Sequence, residues 1–349
     1  MKYDFKKHLI HSHLSLKDGL EILNDLGFDA IIFVVSVEGK LLGSLTDGDV
    51  RRGLLSDLNL KSEINNFLQP NPKFLKRGEY NIQEVIELRN SGFKVIPILD
   101  KNDVVVNVIN FRYFKSYLPV DAVIMAGGRG ERLKPLTDTI PKPLLPVGNK
   151  PIIKHNLDRL RLFGIDDFWI SLRYLGDMIK DFIGDGIDDG INIKYITEQI
   201  PLGTIGSVSL IDDFQHDYLL VMNSDLLTNI DFEKFFIDFL ESGADLSVAT
   251  IPYNVNIPYA ILSTSNNLVS SFQEKPTYTY FANAGIYLMK KSVCDLIPKD
   301  LFYNTTDLLQ CLLNEKYKVI SFPLRGYWLD IGKHDDYSKA QQDIEFINF

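Results

Sequence analysis

Cysteine is scarce in this sequence, because the 349 residues include only Cys294 and Cys311. Two thiols without metal-ligand spacing argue against a disulfide framework or a cysteine-rich metal centre, so we expect both to be buried apolar residues. Long apolar runs are missing as well. The N-terminal residues lack the apolar segment of a signal peptide, and no run approaches the ~18 residues that span a bilayer. We therefore expect a cytoplasmic protein that does not enter a membrane.

A basic excess is also absent, because the formal net charge is −9 at pH 7. Domains that bind nucleic acid usually concentrate positive charge on one face, so this balance argues against a nucleic-acid partner. The composition is that of a globular protein, with 45% hydrophobic and 24% charged residues. A chain of this length is expected to form two or more domains. In an acidic protein, any phosphate ligand must meet a local cluster of basic side chains.

The first 118 residues contain one pattern twice, with an offset of 64 residues. Apolar periodicity and turn signals predict a helix, two strands and a second helix in each copy. The elements of the first copy are residues 15–26, 30–35, 40–45 and a helix that starts within TDGDVRRGLL. Those of the second copy are residues 81–90, 94–99, 104–109 and 110–118. This arrangement resembles a tandem pair of CBS domains, with repeats at about 1–60 and 61–118, which implies a regulatory unit that binds adenine nucleotides.

The CBS resemblance implies a ligand site in the first repeat at Thr46 and Asp49. In that family a Ser or Thr, followed three residues later by an Asp, holds the ribose and phosphate of the ligand. The matching positions of the second repeat are Asn110 and Tyr113, so the carboxylate is missing there. The alternative interpretation of TDGD is a turn with Asp49 near a helix N-terminus, where the helix dipole favours negative charge.

After Pro119 the pattern changes to strands that alternate with helices. Helices are predicted at residues 152–163, 176–183 and 232–242, and strands at residues 167–172, 191–196 and 218–222. The last of these strands includes the run YLLVM, which is typical of a buried parallel strand because it is continuously apolar. The pattern predicts an α/β domain over residues 120–349, in which binding sites gather beyond the carboxyl ends of the strands.

The motif MAGGRGERLKPLTDTIPKPLLPVGNKP, at residues 125–151, follows the first strand of this domain. Its glycines allow the backbone to approach a ligand closely and to turn N–H groups toward phosphate oxygens. Arg132 and Lys142 supply positive charge, which phosphoryl-type transfer requires around the triphosphate. A bare glycine-rich turn would be weak support, but glycine, basic and proline positions in this fixed order closely resemble the signature of the sugar-phosphate nucleotidyltransferases.

That resemblance implies a Rossmann-like mixed sheet of the GT-A type, Arg132 and Lys142 as catalytic residues, and a Mg²⁺ ion held by Asp225 and Asp330. Ser224 departs from the family, which usually has Gly before the first of these Asp residues. The resemblance further implies nucleotide contacts from the glycine loop and from the LGTIG segment, namely Ala126, Gly127, Gly128, Gly130, Leu202, Gly203, Thr204 and Gly206. It implies sugar-phosphate contacts from the EKP and NAGIY segments, namely Glu274, Lys275, Asn283 and Gly285.

The implied reaction joins a nucleoside triphosphate to a sugar 1-phosphate. The LGT segment is closer to guanylyltransferases than to uridylyl- or thymidylyltransferases, which favours GTP. A CBS pair ahead of such a domain resembles bacterial guanylyltransferases that act on glucosamine 1-phosphate in legionaminic acid pathways. Mannose or heptose 1-phosphate, and UTP or dTTP with glucose 1-phosphate, stay open as alternatives. A non-catalytic nucleotide sensor is the competing class of protein, and a homo-oligomer is expected because CBS pairs commonly stack.

Overall fold

The computed structural model describes residues 4–187 and 190–347. The first repeat forms a three-stranded sheet with two helices: β1 (Leu9–His11), α1 (Leu16–Leu26), β2 (Ile31–Val35), β3 (Leu41–Thr46) and α2 (Asp47–Leu54). Helix α1 begins where the sequence predicts, because Ser15 and Asp18 form a capping box that satisfies the first backbone N–H groups. The strands lie in the order β1-β2-β3, with β1 parallel and β3 antiparallel to β2.

The second repeat has the same strand arrangement and one helix: β4 (Leu75–Lys76), α3 (Ile82–Asn90), β5 (Val95–Leu99) and β6 (Val105–Asn110). The helix predicted at residues 110–118 is wrong. The Lys115 N–H donates to the Leu162 carbonyl at 2.7 Å, and the Leu118 N–H donates to the Phe163 carbonyl at 3.1 Å. Because these N–H groups bond to another element, they are not available for a helix of their own.

The remaining described residues form the predicted α/β domain. Its elements are β7 (Asp121–Met125), β8 (Pro146–Val147), β9 (Lys150–Pro151), α4 (Ile152–Leu162), β10 (Asp167–Leu172), α5 (Gly176–Ile183), β11 (Asn192–Thr197), β12 (Tyr218–Asn223), β13 (Leu226–Thr228), α6 (Phe232–Ser242), β14 (Leu246–Asn256), β15 (Ile261–Ser265), β16 (Leu268–Gln273), β17 (Thr277–Lys290), α7 (Thr305–Asn314), β18 (Val319–Pro323), β19 (Trp328–Asp330) and α8 (His334–Asp343). The helices and strands that the sequence predicts here are confirmed to within one residue at each end.

Seven of these strands form one mixed sheet in the order β11-β10-β7-β12-β17-β14-β18. Neighbouring strands are parallel except at β17, which runs antiparallel to both β12 and β14. Parallel order brings the carboxyl ends of β7, β10, β11 and β12 to one edge of the sheet, where a binding site is expected. The mixed α/β fold is therefore confirmed. Among the described residues, no helix is long and apolar enough to cross a membrane.

Strands β14 and β17 continue past the sheet as a two-stranded arm that also carries the β15–β16 hairpin, over residues 252–282. The side chains of this arm are exposed almost throughout. Its exposed large apolar side chains are Tyr253, Val255, Tyr259, Leu262, Leu268, Val269, Phe272, Tyr278, Tyr280 and Phe281. The arm therefore places its residues away from the buried core of the domain.

The two repeats differ in where their apolar side chains are buried. The first repeat packs a cluster of its own, which includes Ile10, Leu16, Leu23, Ile32, Leu45 and Ile64. The second repeat shares one continuous core with the α/β domain, in which Leu75, Ile82, Val85, Ile96, Ile109 and Tyr117 meet Ala122, Ile153, Leu160 and Phe163. The expectation that both cysteines are buried is only partly met, because Cys294 and Cys311 are half-buried free thiols.

Candidate active site

A cleft of about 520 Å³ lies at the carboxyl ends of β7 and β12. Most of the residues predicted to bind nucleotide or to carry the reaction line it together: Gly127, Gly128, Gly130, Arg132, Lys142, Gly203, Thr204 and Asp225. Ala126, Leu202 and Gly206 are buried behind this lining rather than in it. Segments that are far apart in the sequence therefore meet in one cavity.

The glycine loop after β7 is shaped by contacts that only glycine allows. Gly130 has a φ of +64°, and a Cβ at this position would lie 3.0 Å from the Cβ of Lys142. The Thr137 hydroxyl donates to the Gly130 carbonyl at 2.9 Å, which fixes the turn. A side chain at residue 130 would be strained by its backbone angle and would crowd Lys142. The missing side chain thus lets the lysine pack directly against the loop.

Lys142 lies between the two carboxylates that the sequence assigns to a metal. Its ammonium group forms an ion pair with Asp225 and lies 3.9 Å from Asp330 Oδ1. The carboxylates meet because β13 and β19 pair antiparallel with Leu226 opposite Asp330, and the Ile331 N–H donates to the Asp225 carbonyl at 3.1 Å. Burial raises the pKa of Asp330, and the nearby Asp225 carboxylate raises it further.

The same two carboxylates have the donor atoms that a divalent cation would use. Oδ1 of Asp225 and Oδ1 of Asp330 are shielded from solvent, and neither has a hydrogen-bond partner in the part of the chain that the structure describes. Shielded oxygen atoms without a partner are costly unless something positive meets them. Magnesium needs only one or two carboxylates beside the substrate phosphates. The residues present therefore fit a cation that prefers oxygen ligands.

Arg132 belongs to the same group of charges. A Cβ built at Gly332 would lie 3.4 Å from two nitrogen atoms of the Arg132 guanidinium, so this side chain packs closely over the turn that follows β19. It also lines the cleft. The positive charges of Arg132 and Lys142 thus lie close in space to the Asp225 and Asp330 carboxylates, and they leave the cleft suited to phosphate groups.

The LGTIG segment is held in place by the chain just before α7. The Tyr303 N–H donates to the Leu202 carbonyl at 3.0 Å, and the Gly206 N–H donates to the Tyr303 carbonyl at 3.2 Å. Gly203 has a φ of +79°, and a Cβ there would lie 2.5 Å from the Tyr303 carbonyl oxygen. Thr204 accepts a hydrogen bond from the Thr305 N–H at 2.8 Å. These contacts make the segment a fixed wall of the cleft.

Three charged residues line the cleft without having been predicted as site residues: Glu131 in the glycine motif, and Arg173 and Glu198 after two strands. Arg173 follows directly after β10, and Glu198 follows directly after β11. The rule that binding residues gather beyond the carboxyl ends of parallel strands applies to both positions. It could have identified them, because the strands at residues 167–172 and 191–196 were predicted.

The predicted sugar-binding residues do not all come together. Glu274 and Lys275 are exposed on the arm and are not part of the cleft lining. Asn283 accepts a hydrogen bond from the Gly285 N–H at 2.9 Å and donates to the Tyr287 hydroxyl at 2.7 Å. A Cβ at Gly285 would lie 2.7 Å from Nδ2 of Asn223, which lines the cleft. Gly285 therefore borders the cleft, whereas the EKP segment lies outside it.

Thr46 and Asp49 in the first repeat form a local capping box. The Thr46 N–H and hydroxyl donate to Oδ2 of Asp49 at 2.9 and 2.6 Å, and Arg52 forms an ion pair with the other oxygen. Helix α2 thereby satisfies its first N–H groups, which is the structural interpretation of the TDGD turn. A ligand at this position would have to compete with these contacts.

Comparison with known proteins places these observations in a family. The family model described as nucleotidyl transferase matches residues 121–346, and the CBS domain model matches residues 8–56. Mannose-1-phosphate guanyltransferase of Schizosaccharomyces pombe is 31% identical over 225 residues, which are 62% of this chain and 62% of that protein. D-glycero-alpha-D-manno-heptose 1-phosphate guanylyltransferase of Aneurinibacillus thermoaerophilus is 30% identical over 230 residues, which are 65% of this chain and 99% of that protein.

Solved structures show the same relationship. HddC from Yersinia pseudotuberculosis, solved in complex with GMP-PN, superposes with a TM-score of 0.50 at 27% identity, over 64% of this chain and 99% of that one. A putative glucose-1-phosphate thymidylyltransferase from Bacillus anthracis superposes with a TM-score of 0.53 at 26% identity, over 66% of this chain and 97% of that one. With its glycine loop, paired carboxylates and mixed sheet in the matched region, the chain belongs to the nucleotidyl transferase family and carries a CBS domain ahead of that region.

Proposed function

We propose that this protein transfers GMP from GTP to a sugar 1-phosphate and releases pyrophosphate. The observation that carries the proposal is the ion pair of Lys142 with Asp225, beside Asp330, within the glycine-lined cleft. A phosphate site alone would explain the glycines and the lysine. Two carboxylates with unpartnered oxygens beside them provide a cation site as well, which nucleotidyl transfer uses.

The reaction needs little covalent chemistry from the protein. The oxygen of the sugar 1-phosphate is already ionised at pH 7 and attacks the α-phosphorus in line, so no general base is required. N–H groups of the glycine loop would hold the triphosphate, while Arg132 and Lys142 would neutralise the charge on its oxygens. The catalytic role of the chain is therefore to position two anions that repel each other.

Asp225 and Asp330 would hold the Mg²⁺ ion that this family implies. Bound there, the ion would stabilise negative charge on the phosphate oxygens. Lys142 forms contacts with both carboxylates and would keep them from repelling each other before the ion binds. The aspartates therefore have two alternative cationic partners. One is the Lys142 ammonium group, which belongs to the chain, and the other is a bound Mg²⁺ ion.

GTP is the favoured nucleotide because the LGT segment resembles guanylyltransferases and because two guanylyltransferases are among the similar proteins. Glucosamine 1-phosphate is the sugar that we propose first, since a CBS unit precedes the catalytic region. Mannose or heptose 1-phosphate is the alternative that the names of the relatives support. The name of the similar Bacillus anthracis structure supports dTTP with glucose 1-phosphate as a further alternative, and UTP with glucose 1-phosphate is the last pair to test. Asn283 and Gly285 are proposed to bind the sugar phosphate, because Gly285 borders the cleft, whereas Glu274 and Lys275 would take part only if the arm brought them to it.

The first repeat is proposed to regulate this activity in a cytoplasmic homo-oligomer by binding an adenine nucleotide at Thr46 and Asp49. Titration of the full chain with AMP or ATP, together with steady-state turnover, tests the proposal. Binding that is lost in Asp49→Asn, where the carboxylate is removed but the shape is kept, would support it. If neither nucleotide binds or changes turnover, Thr46 and Asp49 only cap helix α2.

Pyrophosphate release tests the proposed reaction directly. The full chain with Mg²⁺ is offered GTP, ATP, CTP, UTP or dTTP in combination with glucosamine, mannose, heptose and glucose 1-phosphates. We expect turnover with GTP, and a loss on the order of 100-fold in Asp225→Asn. Asp335→Asn is the matched control, because its side chain is 91% exposed and lies just past β19. If no pair releases pyrophosphate, the proposed enzymatic function is wrong, and the competing class, a nucleotide sensor, is left.

A further inference from the structure

The exposed arm at residues 252–282 carries very little charge. Its only acidic or basic residues are Glu274 and Lys275, although 24% of the whole chain is charged. Exposed strands at the edge of a sheet usually carry charged side chains, lysine above all, which keep other chains from pairing with them. Because the arm lacks these charges over most of its length, its surface is suited to contact with another protein surface.

One face of the ribbon formed by β14 and β17 is apolar, and the other face is polar. Two cross-strand pairs share the apolar face: Tyr253 with Tyr280, and Val255 with Tyr278. On the polar face, asparagine and threonine side chains bond across the strands, as the Thr279 hydroxyl does to Asn254 at 2.8 Å. This alternation is typical of a strand with one buried face. The apolar face is instead open to solvent, because Tyr253 and Tyr280 are 61% and 60% exposed.

The exposed rings of the arm have enough area for a stable interface. Six aromatic side chains of the arm are between 37% and 74% exposed: Tyr253, Tyr259, Phe272, Tyr278, Tyr280 and Phe281. A fully buried ring covers roughly 200 Å², so these six could bury roughly 700 Å² per arm. A stable interface buries about 800 Å² on each partner. Two arms exchanged between two copies would therefore suffice to hold a dimer together.

The arm also carries Glu274 and Lys275, the two residues that the family resemblance assigns to the sugar phosphate. Among the described residues that line the cleft, none comes from the arm. Residues 250–256 pair with residues 277–283 without a break, so the arm would lose backbone hydrogen bonds if it folded back over its own cleft. An arm that keeps this ladder can bring Glu274 and Lys275 only to the cleft of another molecule.

We propose that the arm binds a second copy of this chain and brings Glu274 and Lys275 to the cleft of that copy. The inference rests on the proposed function, in which the cleft takes a sugar 1-phosphate. There the Lys275 ammonium group would pair with the phosphate, and the Glu274 carboxylate would accept hydrogen bonds from sugar hydroxyls. Because the exchange is reciprocal, a dimer with two-fold symmetry has two complete sites, and each is formed by both copies.

Complementation between two variants tests whether these residues act in the other copy. One variant is Asp225→Asn, which keeps the arm. The other combines Glu274→Gln with Lys275→Met, which keeps the cleft but should lower kcat/KM for the sugar 1-phosphate by about 100-fold. The two chains are co-expressed with different affinity tags, and mixed dimers are purified through both tags. Each mixed dimer has one complete site if the arms are exchanged, so we expect about half of the wild-type rate of pyrophosphate release per dimer.

Two results of this experiment would overturn the inference. If the mixed dimers are as inactive as the two parent variants, Glu274 and Lys275 act on the cleft of their own chain. If the Glu274→Gln and Lys275→Met variant has the kcat/KM of wild type, the arm supplies no residue to any cleft.

Sedimentation of the full chain tests the docking surface without any turnover. Tyr253→Lys combined with Tyr280→Lys adds two charges to the apolar face and should leave each copy folded, because both side chains are exposed. We expect the wild type to sediment at least as a dimer, and this variant to have half of the wild-type mass. Asn254→Lys combined with Thr279→Lys is the matched control, because it adds the same charges to the polar face of the neighbouring pair. The control should keep the wild-type mass.

The two tests separate this inference from the proposed function. A wild type that releases no pyrophosphate, but whose assembly is halved by the two tyrosine substitutions, would remove the proposed function and keep the contact between arm and second copy. A wild type that turns over while its mixed dimers stay inactive would do the reverse. A wild type that sediments as single copies, or a tyrosine variant that keeps the wild-type mass, shows that the arm does not bind a second copy.

Discussion

The two N-terminal repeats have the same strand arrangement but differ in how they meet the α/β domain. The first repeat encloses its own apolar cluster and touches the second through a small one, which contains Phe33, Val35, Val95, Leu99, Val105 and Val108. The second repeat is continuous with the catalytic core. A similar fold thus serves as a separate module in one copy and as part of the catalytic domain in the other.

Polar contacts strengthen this difference. Arg77 of the second repeat donates to Oδ2 of Asp167 at 2.5 Å and lies 3.5 Å from Oδ1 of Asp166. The Tyr117 hydroxyl donates to Asp166 at 3.0 Å. His216 completes a buried group with both aspartates that has the spacing of metal ligands. Because the Arg77 guanidinium already forms ion pairs with both carboxylates, we interpret the group as a joint between the domains rather than as a cation site.

The comparison indicates how a signal from the first repeat would have to travel. It would cross the small cluster between the repeats and then reach the joint at Asp166 and Asp167, where β10 begins. The catalytic loop and Arg173 lie at the opposite ends of β7 and β10. Mutations at the joint should therefore change stability more than the chemistry in the cleft.

The largest expected effect is that of Tyr117→Ala. Tyr117 is fully buried, stacks on Tyr80 with ring centroids 4.9 Å apart, and bonds to Asp166. Loss of the ring should lower the free energy of unfolding by about 5 kcal/mol. Trp169 and Trp328 are the only tryptophans and both lie in the α/β domain, so urea unfolding followed by their fluorescence measures this loss.

Leu45→Ala is the counterpart in the first repeat, where Leu45 is also fully buried. It should destabilise that repeat by about 3 kcal/mol and leave the tryptophan transition in place. Equal shifts of the tryptophan midpoint in both variants would show that the repeats are equally coupled to the α/β domain. The conclusion that the first repeat is a separate module, unlike the second, would then be wrong.

A smaller effect is expected for Arg77→Met. The substitution leaves Asp166 and Asp167 buried without their cation, which should cost about 4 kcal/mol in the same fluorescence measurement. Lys299→Met is the control in the α/β domain itself, because the Lys299 side chain is 64% exposed where it pairs with Asp212. An exposed pair contributes at most about 1 kcal/mol. Similar costs for Arg77→Met and Lys299→Met would mean that the joint is not a specific attachment.

Much of the fold could be predicted because its signals are local. Continuous apolar runs and helical periodicity located the elements of the α/β domain, and periodicity also located α1, whose start the structure fixes by a capping box at Ser15. The helix predicted at residues 110–118 was wrong because its backbone partners, Leu162 and Phe163, lie at the end of α4, far away in the sequence. The joint at Arg77 could not be predicted either, since nothing near Arg77 in the sequence indicates which carboxylates it meets.

The site was predictable where one motif carries several constraints at once. The glycine loop and Asp225 follow strand ends, and the structure brings both into one cleft. Glu198 was missed because a single glutamate after a strand has no motif of its own. The motif that contains Glu274 and Lys275 could be recognised in the sequence, but its location outside the cleft could not be predicted. That location depends on how far β14 and β17 extend past the sheet.

The smallest of the three effects concerns pH and the start of β7. Asp121 is fully buried and accepts hydrogen bonds from the Gln215 and His216 N–H groups at 3.0 and 2.8 Å. Burial raises its pKa to about 6, above the ordinary value near 4. A raised pKa means that Asp121 favours the folded state at low pH, and that this contribution is lost as the pH rises through 6.

Through Asp121, the wild type should lose at most about 3 kcal/mol of its free energy of unfolding between pH 4 and pH 7. The Asp121→Asn variant should not show this loss. The difference between the two tryptophan unfolding curves cancels the groups that both proteins share. These include Asp166, whose pKa is also raised by burial, and Asp167, whose pKa of about 2 places its contribution below this window. In the first repeat, hydrogen bonds from Ser15 lower the pKa of Asp18, so its dependence has the opposite sign. Asp18→Asn should leave the tryptophan transition unchanged at every pH. If the free energies of unfolding of Asp121→Asn and wild type change in parallel between pH 4 and pH 7, Asp121 has the same pKa in the folded and unfolded states. The joint would then have no pH-dependent contact at β7.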